Sequence, residues 1–198
     1  MAAPPQKGLK PLAAVMHKAP LNLDANSRSL LQQSLQALEL ARRCGQAWAM
    51  AEAQLGLARW YRDHSELDFA LALLESGLAA APGLDQRVEL HCEIVDVLAQ
   101  QSSRCEEQAV GSGRPARTTA RQHIFKASML AAHLADSAWE ARVLLHLSDM
   151  LDGFGDRDDA VHLQNRALQL MGRSMDGFAQ PFNPHLVAGL GRLADGQG

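Results

Sequence analysis

The chain has 198 residues, a formal net charge of −3, 47% hydrophobic residues and only 5% aromatics. That near-neutral balance excludes the basic footprint expected of a nucleic-acid binder or a polybasic membrane reader. An Ala/Leu-rich, aromatic-poor composition favours close-packed helices over a sheet sandwich, which would draw on more Val, Ile, Thr and aromatic residues.

Residues 1–24 hold four prolines and three lysines against one acid, and read as a flexible N-terminal tail without a secretory signal. Asn26 or Ser27 is suited to cap a first long helix running to about Arg43. Leu31, Leu35 and Leu38 mark one face of it and Ala37 and Ala41 another, as if both were buried. Gly45 breaks the chain, and a second helix is expected over 48–62. A tight turn at Asp63, His64 and Ser65 leads to a third helix ending before Pro82. Asp85 can cap a fourth over 86–100, with Leu90, Ile94 and Leu98 at helical spacing.

The Ser/Gly/Arg-rich run 101–116 lacks a periodic apolar face and reads as an insertion. A helix then restarts at Thr118 or Thr119. Ser137 and Glu140 match a capping box for the next helix, to about Leu151, and Asp156 can cap one running to Met171. In the C-terminal segment 173–198, Asn183 and Pro184 suit the start of a short capping helix.

The stretch 57–82 carries small residues (Ala58, Ala70, Gly77) and large ones (Leu57, Tyr61, Leu67, Leu74) in a fixed order, closed by Pro82. It resembles the tetratricopeptide repeat, a 34-residue helix–turn–helix unit. Departures are Ser65 at the usual turn glycine, Gly77 for Ala, and Gln54 where the family often has Trp. A second copy lies 90 residues on: Ala37, Ala51, Leu57, Asp68 and Ala70 recur as Ala127, Ala141, Leu147, Asp158 and Ala160. In that copy Gly155 takes the turn position. Residues 88–98 supply a first helix between the copies. The resemblance implies an all-α, TPR-like superhelix over 25–172, with about three repeats plus a half-repeat and seven to eight helices.

No catalytic apparatus stands out, and an enzyme is not expected. Cys44, Cys92 and Cys105 contain no CxxC, so free thiols in a cytoplasmic protein are the expectation. The histidines lack chelating spacing; His91 and Cys92 are adjacent, and His133, His146 and His162 fall on separate helices. No metal or cofactor is implied. The acidic series from Asp149 to Asp159 fails the EF-hand pattern. Gly111, Ser112 and Gly113 lack the ending of a phosphate loop. Trp48, Trp60 and Trp139 are expected in the core.

In the family resembled, first helices of successive units line a concave groove. Carried over by position, the partner-binding residues are Glu52, Leu55, Arg59 and Arg62; Glu89, Glu93 and Asp96; and Arg142, His146, Asp149 and Asp152. The arginines at 59 and 62 would form a basic end of that groove, and the aspartates an acidic one. The lysine and asparagine set that clamps a C-terminal carboxylate in chaperone-binding members is missing. The expected function is a scaffold or adaptor holding a protein or peptide partner, with no nucleic acid or membrane involved. The alternative is a regulatory repeat region of a bacterial signalling system, whose output domain lies elsewhere.

Overall fold

A computed structural model describes residues 24–107 and 114–176. Among these residues there are seven α-helices and no strand. They are α1 (Ala25–Cys44), α2 (Ala47–Asp63), α3 (Leu67–Ala80), α4 (Leu84–Glu107), α5 (Arg114–Ala131), α6 (Ser137–Gly153) and α7 (Arg157–Asp176). The chain divides into two compact units at Leu130, α1–α5 belonging to the first and α6 and α7 to the second. No described helix is long and apolar enough to cross a membrane.

In the first unit, α1 packs on α2, α2 on α3, and α4 on both α2 and α3. Its core holds Leu55, Leu57, Tyr61, Leu74, Leu90 and Ile94, all fully buried. Gly77 is needed where these helices converge: a Cβ there would lie 3.1 Å from Leu90 Cδ2 and 3.5 Å from Gln54 Cβ. Gln54 itself is buried, and its Nε2 donates to Ser76 Oγ at 2.8 Å, tying α2 to α3. A hydrogen bond thus stands where the repeat family often has a tryptophan.

The helix ends show which groups satisfy the orphan backbone donors and acceptors. Asp24, not Asn26 or Ser27, caps α1, its Oδ1 accepting from Ser27 N at 2.7 Å. Asp136, not Ser137, caps α6, accepting from Trp139 N at 2.9 Å. Glu140 is therefore released from the expected capping box. It is buried and accepts from Arg166 Nη2 of α7 at 2.6 Å. The second unit's core brings Ala141 and Leu144 of α6 against Ala167 of α7, with Leu145, Leu163 and Leu170 beside them.

The hairpins α2–α3 and α6–α7 share one turn geometry at the 90-residue offset. Ser65 and Gly155 both adopt positive φ, 69° and 84°. Ser65 N donates to Arg62 O and Gly155 N to Asp152 O, each at 2.9 Å. Glu66 N donates to Tyr61 O and Asp156 N to Leu151 O, again at 2.9 Å. Leu57 and Leu147 occupy the same position of the first helix in each hairpin, and both are fully buried.

Three expectations are corrected. Residues 101–107 do not open an insertion; they continue α4, and residues 114–116 already belong to α5. Cross-helix bonds hold that extension: Gln101 Nε2 donates to Asp68 Oδ1 at 3.0 Å, and Arg104 Nη1 to Ser65 O at 2.8 Å. On α1 only one face is buried, through Leu31, Leu38 and Ala41, while Ala37 is exposed. Trp48 is exposed rather than core, whereas Trp60 is buried and donates its indole N–H to Ser27 O at 3.2 Å. The expected capping helix near Pro184 lies outside the described residues.

Candidate functional site

The site residues expected in the first unit come together on α2 and α4. Glu52, Arg59 and Arg62 recur at helical spacing along α2, and Glu89, Glu93 and Asp96 along α4. Arg59 Nε donates to Glu93 Oε1 at 2.5 Å, and Arg62 Nη1 to Glu93 Oε2 at 2.5 Å. Arg62 Nη1 also lies 3.5 Å from Asp96 Oδ2. One carboxylate thus accepts from two guanidinium groups, a charge-assisted arrangement stronger than neutral hydrogen bonds. The side chains of Glu93 and Arg62 are only 11% and 20% exposed, against 44% for Arg59.

This arrangement corrects the expected polarity of the groove. Arg59 and Arg62 do not form a basic end apart from an acidic one; they neutralise Glu93 and Asp96 directly. Leu55, expected to touch a partner, is fully buried in the core. On the second unit's α6, Arg142, Asp149 and Asp152 are exposed and His146 is half-buried. Asp152 Oδ1 lies 3.4 Å from Arg157 Nε, an exposed pair of small energetic weight.

The electrostatics of the α2–α4 face follow from this pairing. Burial disfavours the charged Arg59 guanidinium, but the hydrogen bond to Glu93 and the charges of Glu93, Glu89 and Glu52 outweigh it, raising its pKa. Glu89 is held above the usual carboxylate range by burial, opposed by Arg59 and reinforced by Glu52, Asp85 and Glu93. Burial, with Asp96, Glu93 and Glu89 nearby, pushes the Cys92 thiol up to about 12. Cys92 therefore stays protonated at neutral pH and lacks the thiolate character of a reactive cysteine.

Sequence reasoning missed a second polar contact in the first unit. His91 of α4 and His123 of α5 face each other with their Nδ1 atoms 2.8 Å apart. Burial first, then His123, Lys126 and Arg87, lowers the His91 pKa to about 4. Burial and Lys126 lower that of His123. No group of three or more potential metal ligands occurs among the described residues. No protein-family model matches the chain, and no characterised protein matches it in sequence.

Proposed function

We propose that the chain is a TPR-like helical-repeat scaffold whose first helices bind a protein or peptide partner. The observation that carries this reading is the α2–α4 face. Its charged side chains are fixed before any ligand arrives, because Glu93 clamps Arg59 and Arg62. Side chains already immobilised lose less entropy on binding, which is the advantage of preorganisation. Glu52 is exposed and Glu89 half-buried beside that clamp. The shared turn geometry of the two hairpins supports the repeat reading.

A partner meeting this mixed-charge face is itself polar, so its binding weakens as salt screens the exposed charges. The test is affinity capture from lysate at low and high salt, with mass spectrometry of what is retained. Wild type is compared with Glu52→Lys/Glu89→Lys and with a control, Arg42→Glu/Arg43→Glu, on α1. Salt-sensitive partners retained by wild type and the control but lost from the α2–α4 variant are the expected result. Equal retention by all three proteins places binding elsewhere.

A further inference from the structure

A second surface in the first unit lies apart from the clamp. A groove of about 790 Å³ runs between α3 and α5, floored by the C-terminal half of α4. Its α3 wall presents Asp68, Leu71 and Glu75. These residues recur at helical spacing and so form one stripe, with a carboxylate on either side of a leucine. Asp68 and Glu75 are exposed and Leu71 is half-buried. Leu98 supplies an apolar floor, and Pro115 and Thr119 form part of the opposite wall.

We infer that this groove docks an amphipathic helix bearing basic residues two turns apart, with an apolar residue between them. The charge of the groove selects that occupant. Its rim carries Glu66, Asp68 and Glu75, against Arg104, whose Nη1 is turned to the Ser65 carbonyl. The seven-residue step from Asp68 to Glu75 spans roughly 10 Å along α3, and two turns of a docked helix match it. The intervening leucine on the ligand then meets Leu71 and Leu98, the helix-in-groove mode of recognition. An acidic helix would set carboxylate against carboxylate and is rejected. This docking site is independent of the α2–α4 face.

The probe is a labelled alanine-based helical peptide of about 15 residues, with lysines two turns apart and leucine on the turn between them. A second peptide carries glutamate in place of each lysine. Fluorescence anisotropy is measured on the full chain as wild type, Asp68→Asn/Glu75→Gln, and Glu52→Lys/Glu89→Lys. The first variant keeps an acceptor for Gln101 while removing both charges, so its melting temperature is expected to equal that of wild type. The expected result is binding of the lysine peptide alone, weakened about fivefold by the first variant, as loss of two exposed ion pairs implies. The second variant leaves that binding unchanged, which separates this site from the α2–α4 face. Absence of binding by the lysine peptide, equal binding of both peptides, or unaltered affinity in Asp68→Asn/Glu75→Gln overturns the inference.

Discussion

Arg62 and Glu93 lie 31 residues apart in sequence and meet at 2.5 Å between α2 and α4. The contact joins the first helix of the α2–α3 hairpin to α4, and Arg59 enters the same carboxylate from one turn earlier. Its weight comes from partial desolvation. Glu93→Ala leaves Arg59 and Arg62 adjacent and without their shared counter-charge. It is expected to cost about 2–3 kcal/mol, short of the full penalty for a deeply buried pair. Arg59→Ala removes the more exposed member and is expected to cost under about 1 kcal/mol. Urea unfolding of the two variants checks the order; an equal loss would place the stabilisation elsewhere.

The positive φ of Ser65 is an avoidable expense. A residue with a Cβ is disfavoured in the left-handed region, where glycine fits without penalty. Ser65→Gly is expected to stabilise the chain by about 0.5–1 kcal/mol, and Gly155→Ala at the equivalent turn to destabilise it by about 1 kcal/mol. Thermal melts of both variants test the pair. A fall in melting temperature for Ser65→Gly would mean that its side chain contributes more than the backbone relief.

Ala70 has no solvent exposure and Ala160 has 6%. A carboxylate forced into either position is stripped of water. Ala70→Glu is expected to destabilise by about 3 kcal/mol or more, and Ala160→Glu by less because its edge reaches solvent. Denaturant midpoints that reverse this order would contradict the packing described.

The His91–His123 contact predicts acid sensitivity. The folded-state pKa of His91 is depressed to about 4, below the value of 6.5 for an unperturbed histidine. Between these values the unfolded chain binds more protons, so this stability is complete above about pH 6.5 and is lost as pH falls towards 4. The loss attributable to His91 is on the order of 3 kcal/mol. Stability measured from pH 7 to 4 should fall less steeply in His91→Leu than in wild type. Parallel curves would assign the acid sensitivity to other groups.

Amide exchange distinguishes a helix from a loop at residues 101–107. Protection there is expected to continue that of Leu98, and Arg104→Ala, which removes the bond to Ser65 O, should lower it. Exchange as fast as in unstructured peptide would restore the insertion expected from composition.

The all-helical class was legible because alternating small and large residues, glycine breaks and polar caps agreed along the chain. The 90-residue recurrence correctly matched Leu57 with Leu147 and Ser65 with Gly155. Two caps were misplaced by one to three residues, and Asp85, expected as a third cap, lies inside the first turn of α4. Asp24 sat in a stretch assigned to the tail, and Ser137 with Glu140 satisfied a motif whose carboxylate instead pairs with Arg166. The continuation of α4 was hidden because Gln101, Ser102 and Ser103 have no apolar period, and their helix is held by bonds to α3, to the α2–α3 turn and to α5. The charged face on α2 and α4 could be read from position. Its mutual pairing could not, because it depends on how those helices are set against each other.

Trp60 gives the chain an internal optical gauge. Its ring stacks on His64 with centroids 3.9 Å apart, while its N–H holds the first turn of α1 through Ser27. Trp48 lies open to solvent at 59% exposure. Indoles shielded from water emit at shorter wavelengths than those in solvent, so the two report different things. Release of α1 would expose Trp60 and move its emission to the red, while the exposed Trp48 stayed constant. A Trp48→Phe protein would therefore let the attachment of α1 be followed by light alone, with Trp139 as the steady signal from the other unit.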